Sequence, residues 1–103
     1  MLEPEGQAAF FKALCEPSRL AIVRLLLDSR NAMTVGEIAS CCPLDVSVIS
    51  RHLAMLRDAG ILASTRRGKE VLYELKATDV AELLRGLAAA FEGVGRLPGD
   101  TVP

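Results

Sequence analysis

Apolar residues recur at spacings of three and four through most of this chain and switch to strict alternation in one stretch just after residue 70. The first pattern marks helices and the second a half-buried strand. Between about Gln7 and Cys15, the residues Ala8, Phe10, Phe11 and Leu14 predict a first helix, whose two adjacent aromatics cannot both face one small core. Glu16-Pro17 interrupts it, because the residue before proline avoids the helical region while proline itself suits a first helical turn. A second helix from about Pro17 to Asp28 carries Leu20, Ile22, Val23, Leu25, Leu26 and Leu27 around most of its circumference, which predicts the buried centre of a domain. Thr34, with Glu37 three residues on, predicts a capping box and a short third helix that ends near Cys42, ahead of Pro43.

The fourth helix is expected from about Val46 to Ala59. Asp45 is placed to accept from the free amides of the first turn, and Gly60 suits the left-handed position just past a helix. Ile49, Leu53 and Leu56, with Met55 at the margin, make a narrow apolar stripe; Ser47, Ser50, Arg51, Ala54 and Arg57 lie opposite, and His52 sits on the border. Small side chains on that polar side let the backbone approach another surface closely. Hydroxyls and guanidinium groups can then reach base edges or phosphate oxygens in a major groove. An ordinary solvated helix would carry a similar face, so the following segment matters. Residues 61–75 read as two short strands around a turn where Arg66, Arg67 and Lys69 crowd beside Gly68, and Val71, Tyr73 and Leu75 alternate with Leu72 and Glu74. A final helix starts at Ala77-Thr78-Asp79 and runs to about Glu92, with Val80, Leu83, Leu84, Leu87, Ala88 and Phe91 exceeding what one narrow face would bury. The expected fold is therefore mainly α with a two-stranded β-wing, in the order ααααββα, a winged helix-turn-helix.

Residues 1–6 are expected to be a loose arm, residues 7–92 the folded domain, and residues 93–103 a flexible tail rich in helix breakers. Only four of every hundred residues are aromatic while half are hydrophobic, so the core must be built mainly of Leu, Ile, Val and Ala. The formal charge of −1 would argue against a nucleic-acid partner if it were evenly spread. It is not: Val46 to Lys76 holds six basic residues against three acidic, whereas the remainder holds six against ten. Screening confines the relevant field to about 8 Å, so a local basic face is usable on an acidic body. No apolar run is long enough to span a bilayer and no leader-like N-terminus is evident, and three cysteines, an odd number, fit a reducing compartment. A cytoplasmic protein without membrane contact is expected. An enzyme is not: His52 is the one histidine, with no acid or nucleophile at a telling spacing, and no Cys-x-x-Cys pair is present.

Five blocks in order, Pro17 to Leu26, Thr34 to Ala39, Ser50 to Arg57, Ala59 to Leu62 and Arg67 to Tyr73, closely resemble the ArsR/SmtB family of bacterial transcriptional regulators, over roughly residues 7–92. The resemblance implies a repressor that binds double-stranded operator DNA as a homodimer through its first and last helices, and a two-fold dimer would read an inverted repeat. Ser47, Ser50 and Arg51 are then the candidates for base edges, His52 and Arg57 for phosphate, and Arg66, Arg67 and Lys69 for the wing.

Cys15, Cys41 and Cys42 are the soft ligands. No cofactor is needed for folding, but three thiolates would suit an inducing ion such as As(III), Sb(III), Hg(II) or Zn(II). Cysteines also pack well as small apolar groups, which leaves a non-metal or redox signal open. The cysteine pair that arsenic-sensing members carry near the start of the third helix is replaced by Thr34, Val35 and Gly36. Asp79 and Glu82 have no histidine beside them as zinc-sensing members do, and the last helix lacks the cysteine of sulfur-redox members. A thiol site would therefore lie at the far end of the third helix, where a pull on Cys41 and Cys42 would move the turn into the fourth. An interaction module that has lost DNA binding is the remaining alternative, and it would betray itself by indifference to salt.

Overall fold

The computed structural model describes residues 3–95. Its elements run α1 (Pro4–Leu14), α2 (Pro17–Ser29), β1 (Met33–Thr34), α3 (Val35–Ser40), α4 (Val46–Asp58), β2 (Leu62–Arg67), β3 (Glu70–Leu75) and α5 (Ala77–Val94). The helices and the wing stand where the hydrophobic pattern places them. Helix α1 begins earlier than expected, because Pro4 takes the first helical position and so draws residues 4–6 out of the expected arm. Helix α5 continues two residues past Glu92, and the rest of the expected tail, beyond residue 95, lies outside the described residues.

Capping fixes the two helices that flank the first turn of the motif. Glu16 caps α2 by accepting the Arg19 amide at 3.0 Å. Thr34 and Glu37 form the expected capping box of α3, with Thr34 Oγ1 accepting from the Glu37 amide at 3.1 Å and the Glu37 carboxylate accepting from the Thr34 amide at 2.8 Å. Asp45 does occupy the N-cap of α4 in extended geometry, but its carboxylate makes no capping hydrogen bond. That expectation is corrected: the exposed side chain is left to solvent.

The sheet has three strands, not two. β1 pairs antiparallel with β3, Met33 opposite Tyr73 and Thr34 opposite Leu72, giving the order β1-β3-β2. Thr34 does double duty, since its extended backbone ends the strand and caps α3. In the hairpin, Arg67 faces Glu70 across a two-residue turn of Gly68 and Lys69. Gly68 takes a φ of 63° and Lys69 does not, the pattern of a type II′ turn that only glycine enters cheaply.

One core joins these parts: Phe10 and Ala13 from α1, Ile22 and Leu26 from α2, Ile38 from α3, Ile49, Leu53 and Leu56 from α4, and Ile61, Leu62, Tyr73 and Leu83 beyond it. Phe10 is buried and Phe11 turns outward, as their adjacency requires. Helix α2 is less enclosed than its composition predicts. Leu20 and Leu27 are about half exposed, at 47% and 51%, because α1, α4 and the sheet cover only the side that holds Ile22 and Leu26. Helix α5 contributes one buried residue, Leu83, while Leu84, Phe91 and Val94 stand in solvent. A cleft of about 710 Å³ opens between α1, the end of α4 and α5, lined by Phe10, Val80 and Leu83 together with Asp58, Lys76 and Glu82.

Candidate nucleic-acid interface

Helix α4 is held by its apolar stripe. Ile49, Leu53 and Leu56 are fully buried, and each would cost about 2–5 kcal/mol if cut back to alanine. Met55, at the margin of that stripe, is 45% exposed. The stripe turns Ser47, Ser50, Arg51 and Arg57 outward, all four exposed. Val46 also stands out at the first turn, 55% exposed, beside the serines. Sequence reading passed over Val46 because an apolar residue at a helix start is normally counted toward the core. Gly60, with a φ of 82°, turns the chain directly from the helix into β2.

The wing presents Arg66, Arg67 and Lys69 around its tip, every one exposed, so the basic groups lie where the hairpin protrudes. Arg57 differs from them. Its guanidinium contacts Asp58 at 3.3 Å, an exposed pair worth at most about 1 kcal/mol, which a phosphate can displace.

His52 is placed otherwise than a phosphate contact requires. Its side chain is only 17% exposed, with Nε2 3.7 Å from a Glu16 carboxylate oxygen and Nδ1 3.4 Å from Arg19 Nη1. The ring faces the α1–α2 junction, not outward. Arg19 is the residue that sequence reading missed: it is 8% exposed within an otherwise apolar helix face, and the one available signal was Glu16 three residues before it. Burial raises the Glu16 carboxyl somewhat. The amides of Ser18 and Arg19, then the His52 ring in its protonated form and the Arg19 guanidinium, outweigh that and hold it below the ordinary carboxylate range.

The cysteines do not assemble. Cys15 is exposed at the C-cap of α1, Cys41 is exposed at the C-cap of α3, and Cys42 is partly buried against the core. Among the described residues, no three His, Cys, Asp or Glu side chains converge as metal ligands would. The three-thiolate site is therefore corrected: within one chain, Cys15 does not complete a set with Cys41 and Cys42. Burial, and then the neighbouring Cys41, push the Cys42 thiol up, away from the thiolate that binds soft ions.

An exposed polar helix face, seated on a helix-turn-helix and followed by a basic-tipped hairpin, defines a winged helix-turn-helix protein. The family model described as "Helix-turn-helix domain" matches residues 14–65. The uncharacterized HTH-type transcriptional regulator Rv0081 of Mycobacterium tuberculosis is 38% identical over 97 residues, 93% of this chain and 81% of that one. Its crystal structure aligns with a TM-score of 0.66 at 36% identity, over 90% of this chain and 94% of the other. A probable mercury resistance operon repressor of Streptomyces lividans is 32% identical over 104 residues, 94% of this chain and 82% of its own. The solution structure of the homodimeric winged helix-turn-helix DNA-binding domain of Mb0332 from Mycobacterium bovis, a possible ArsR-family transcriptional regulator, aligns with a TM-score of 0.69 at 26% identity, over 85% of this chain and 80% of that one. This chain belongs to the ArsR family of winged helix-turn-helix transcriptional regulators, which are not enzymes.

Proposed function

We propose that this protein is a homodimeric repressor that docks α4 in the major groove of an operator and rests its wing on the flanking backbone. The observation that carries the proposal is the joint exposure of Ser47, Ser50 and Arg51 on α4 and of Arg66, Arg67 and Lys69 on the wing that follows it. Ser47, Ser50 and Arg51 read base edges, Arg51 being suited to the paired acceptors of guanine, and Val46 adds an apolar contact of the kind a thymine methyl accepts. Arg57 and the wing cations neutralise phosphates. His52 takes no part in DNA contact in this scheme. The unburied apolar side chains of α1 and α5, Phe11, Leu84, Phe91 and Val94, support pairing with a second copy. The two recognition helices would then address an inverted repeat in cytoplasmic DNA, its half-sites one or more helical turns apart.

The signal that ends repression acts at the turn from α3 to α4, because Cys41 and Cys42 immediately precede the Pro43-Leu44-Asp45 segment that launches the recognition helix. A thiophilic ion, As(III), Sb(III), Hg(II) or Zn(II), finds two thiols of one chain there and not three. The mercury-operon relative supports that class of effector. Retention of the reduced protein on its own promoter fragment, titrated with these four ions beside a Cys41→Ser/Cys42→Ser variant, tests the proposal. Release by one ion from the parent and not from the variant is expected; binding that no ion disturbs would leave a repressor whose signal enters elsewhere.

A further inference from the structure

Arg19 joins three helices. Its guanidinium donates from Nε to the Ala13 carbonyl and from Nη2 to the Lys12 carbonyl at 3.5 Å, closing the C-terminal end of α1. The Nη1 group reaches across to α4, 3.4 Å from His52 Nδ1 and 3.4 Å from Met55 Sδ. Glu16 completes the arrangement from behind, accepting the Arg19 amide at 3.0 Å and facing His52 Nε2 at 3.7 Å. These contacts satisfy the polar atoms involved; among the described residues, no buried side-chain nitrogen or oxygen lacks a partner.

Chemistry selects one state of the ring. Arginine carries donors only, so the His52 Nδ1 beside Nη1 must be the acceptor and hold no proton. The proton of the neutral ring then sits on Nε2, the nitrogen that faces the Glu16 carboxylate. The Arg19 end therefore requires a bare Nδ1, while the Glu16 end requires only a proton on Nε2; the neutral Nε2-protonated ring meets both. The charged groups facing the ring are Glu16 at the α1–α2 junction and Arg19 on α2; α1 meets the guanidinium through backbone carbonyls. A proton added at Nδ1 would set donor against donor and one cation 3.4 Å from another. Glu16 would keep its attraction, so the ring would be drawn from Arg19 toward Glu16.

We infer that Arg19 and Glu16 are positioning residues for DNA recognition: they hold neutral His52 and thereby lock α4 to the end of α1, and protonation of His52 releases that lock and lowers selectivity for operator over unrelated DNA. This inference rests on the DNA-reading role proposed for α4. Selectivity is the informative quantity, because an added positive charge by itself raises affinity for all DNA alike. The inference also ties the recognition helix to α1, one of the two helices assigned to dimer pairing, through a side chain buried within the chain.

The test begins without DNA, on the full chain. Its single histidine makes ring nitrogen resonances unambiguous. At about pH 8 the spectrum should show a protonated Nε2 and a bare Nδ1, and on stepwise acidification to the pH at which the ring resonances themselves report a second proton, the Ser50 to Met55 amides should shift in step with the ring. In Arg19→Lys, which lacks the planar fork, that coupling should be lost. A proton on Nδ1 at the higher pH, or α4 amides that ignore the ring, overturns the interlock. The second arm compares affinity for a duplex enriched from a random pool with affinity for an unrelated duplex. The parent should lose selectivity on the order of tenfold between the two pH values, the scale of one charge-assisted hydrogen bond. His52→Gln, whose amide oxygen accepts from Arg19 but does not titrate, should not. An identical loss in His52→Gln overturns the inference. Failure to enrich any duplex would overturn the proposed function instead, while the ring spectra would still decide the interlock.

Discussion

Cys41 and Cys42 share a peptide bond and little of their surroundings. The first is exposed with Ser40 Oγ 3.9 Å from its sulfur; the second packs against the core, and burial pushes its thiol up. Since the thiolate is the nucleophile, iodoacetamide at neutral pH should modify Cys41 well before Cys42, and the Cys42 rate should climb only as the pH moves further into the alkaline range. Mass spectrometry of digested, time-quenched samples checks this, and equal rates at neutral pH would contradict the environment described. Residue types alone could not separate the two sulfurs, because adjacency in sequence says nothing about which one a helix end turns inward. The same limit applies to His52 and Arg19. A border histidine and an arginine in an apolar helix are visible as letters, but that they meet across 33 residues is a property of how α2 crosses α4. The outward set, Ser47, Ser50 and Arg51, was legible because the apolar stripe at Ile49, Leu53 and Leu56 dictates the opposite face.

Among the elements, those with local determinants were the readable ones. The capping box at Thr34 and Glu37, the break at Glu16-Pro17, the wing alternation and the Gly60 stop all act within a few residues and appear as expected. Strand β1 was not readable. Two residues carry no periodicity, and its existence depends on β3 lying beside it. Gly60 offers a clean test of the helix end. Its φ of 82° disfavours any side chain, yet a Cβ there would meet no atom within 4 Å, so the cost is one of backbone alone. Gly60→Ala should therefore lower stability by about 1–2 kcal/mol and Gly60→Asn by less, since asparagine tolerates positive φ better. Thermal melts of the two variants against the parent measure it; an unchanged melting temperature in Gly60→Ala would refute the left-handed turn.

At the scale of the whole molecule, α5 is an 18-residue helix with one buried side chain, which a lone chain has little reason to keep ordered. Its surplus of apolar residues was evident in the sequence, and the exposure of Phe91 at 77% gives the surplus a location. Phe91→Asp combined with Leu84→Asp should shift the protein from dimer to monomer in sedimentation equilibrium and weaken operator binding with it. A variant that stays dimeric would move the interface elsewhere, to a surface such as the exposed Leu20 and Leu27 of α2.

Binding of DNA by the exposed face of α4 and the basic wing is tested by the salt dependence of affinity for an enriched duplex. With at least Arg66 and Lys69 of each of two copies on phosphate, the logarithm of affinity should fall against the logarithm of salt with a slope of about −4 or steeper, near −0.9 per phosphate neutralised. Replacing Arg66, Arg67 and Lys69 by alanine should flatten it. A slope near zero in the parent would show that these surfaces do not bind DNA and leave the winged helix as a surface for another protein.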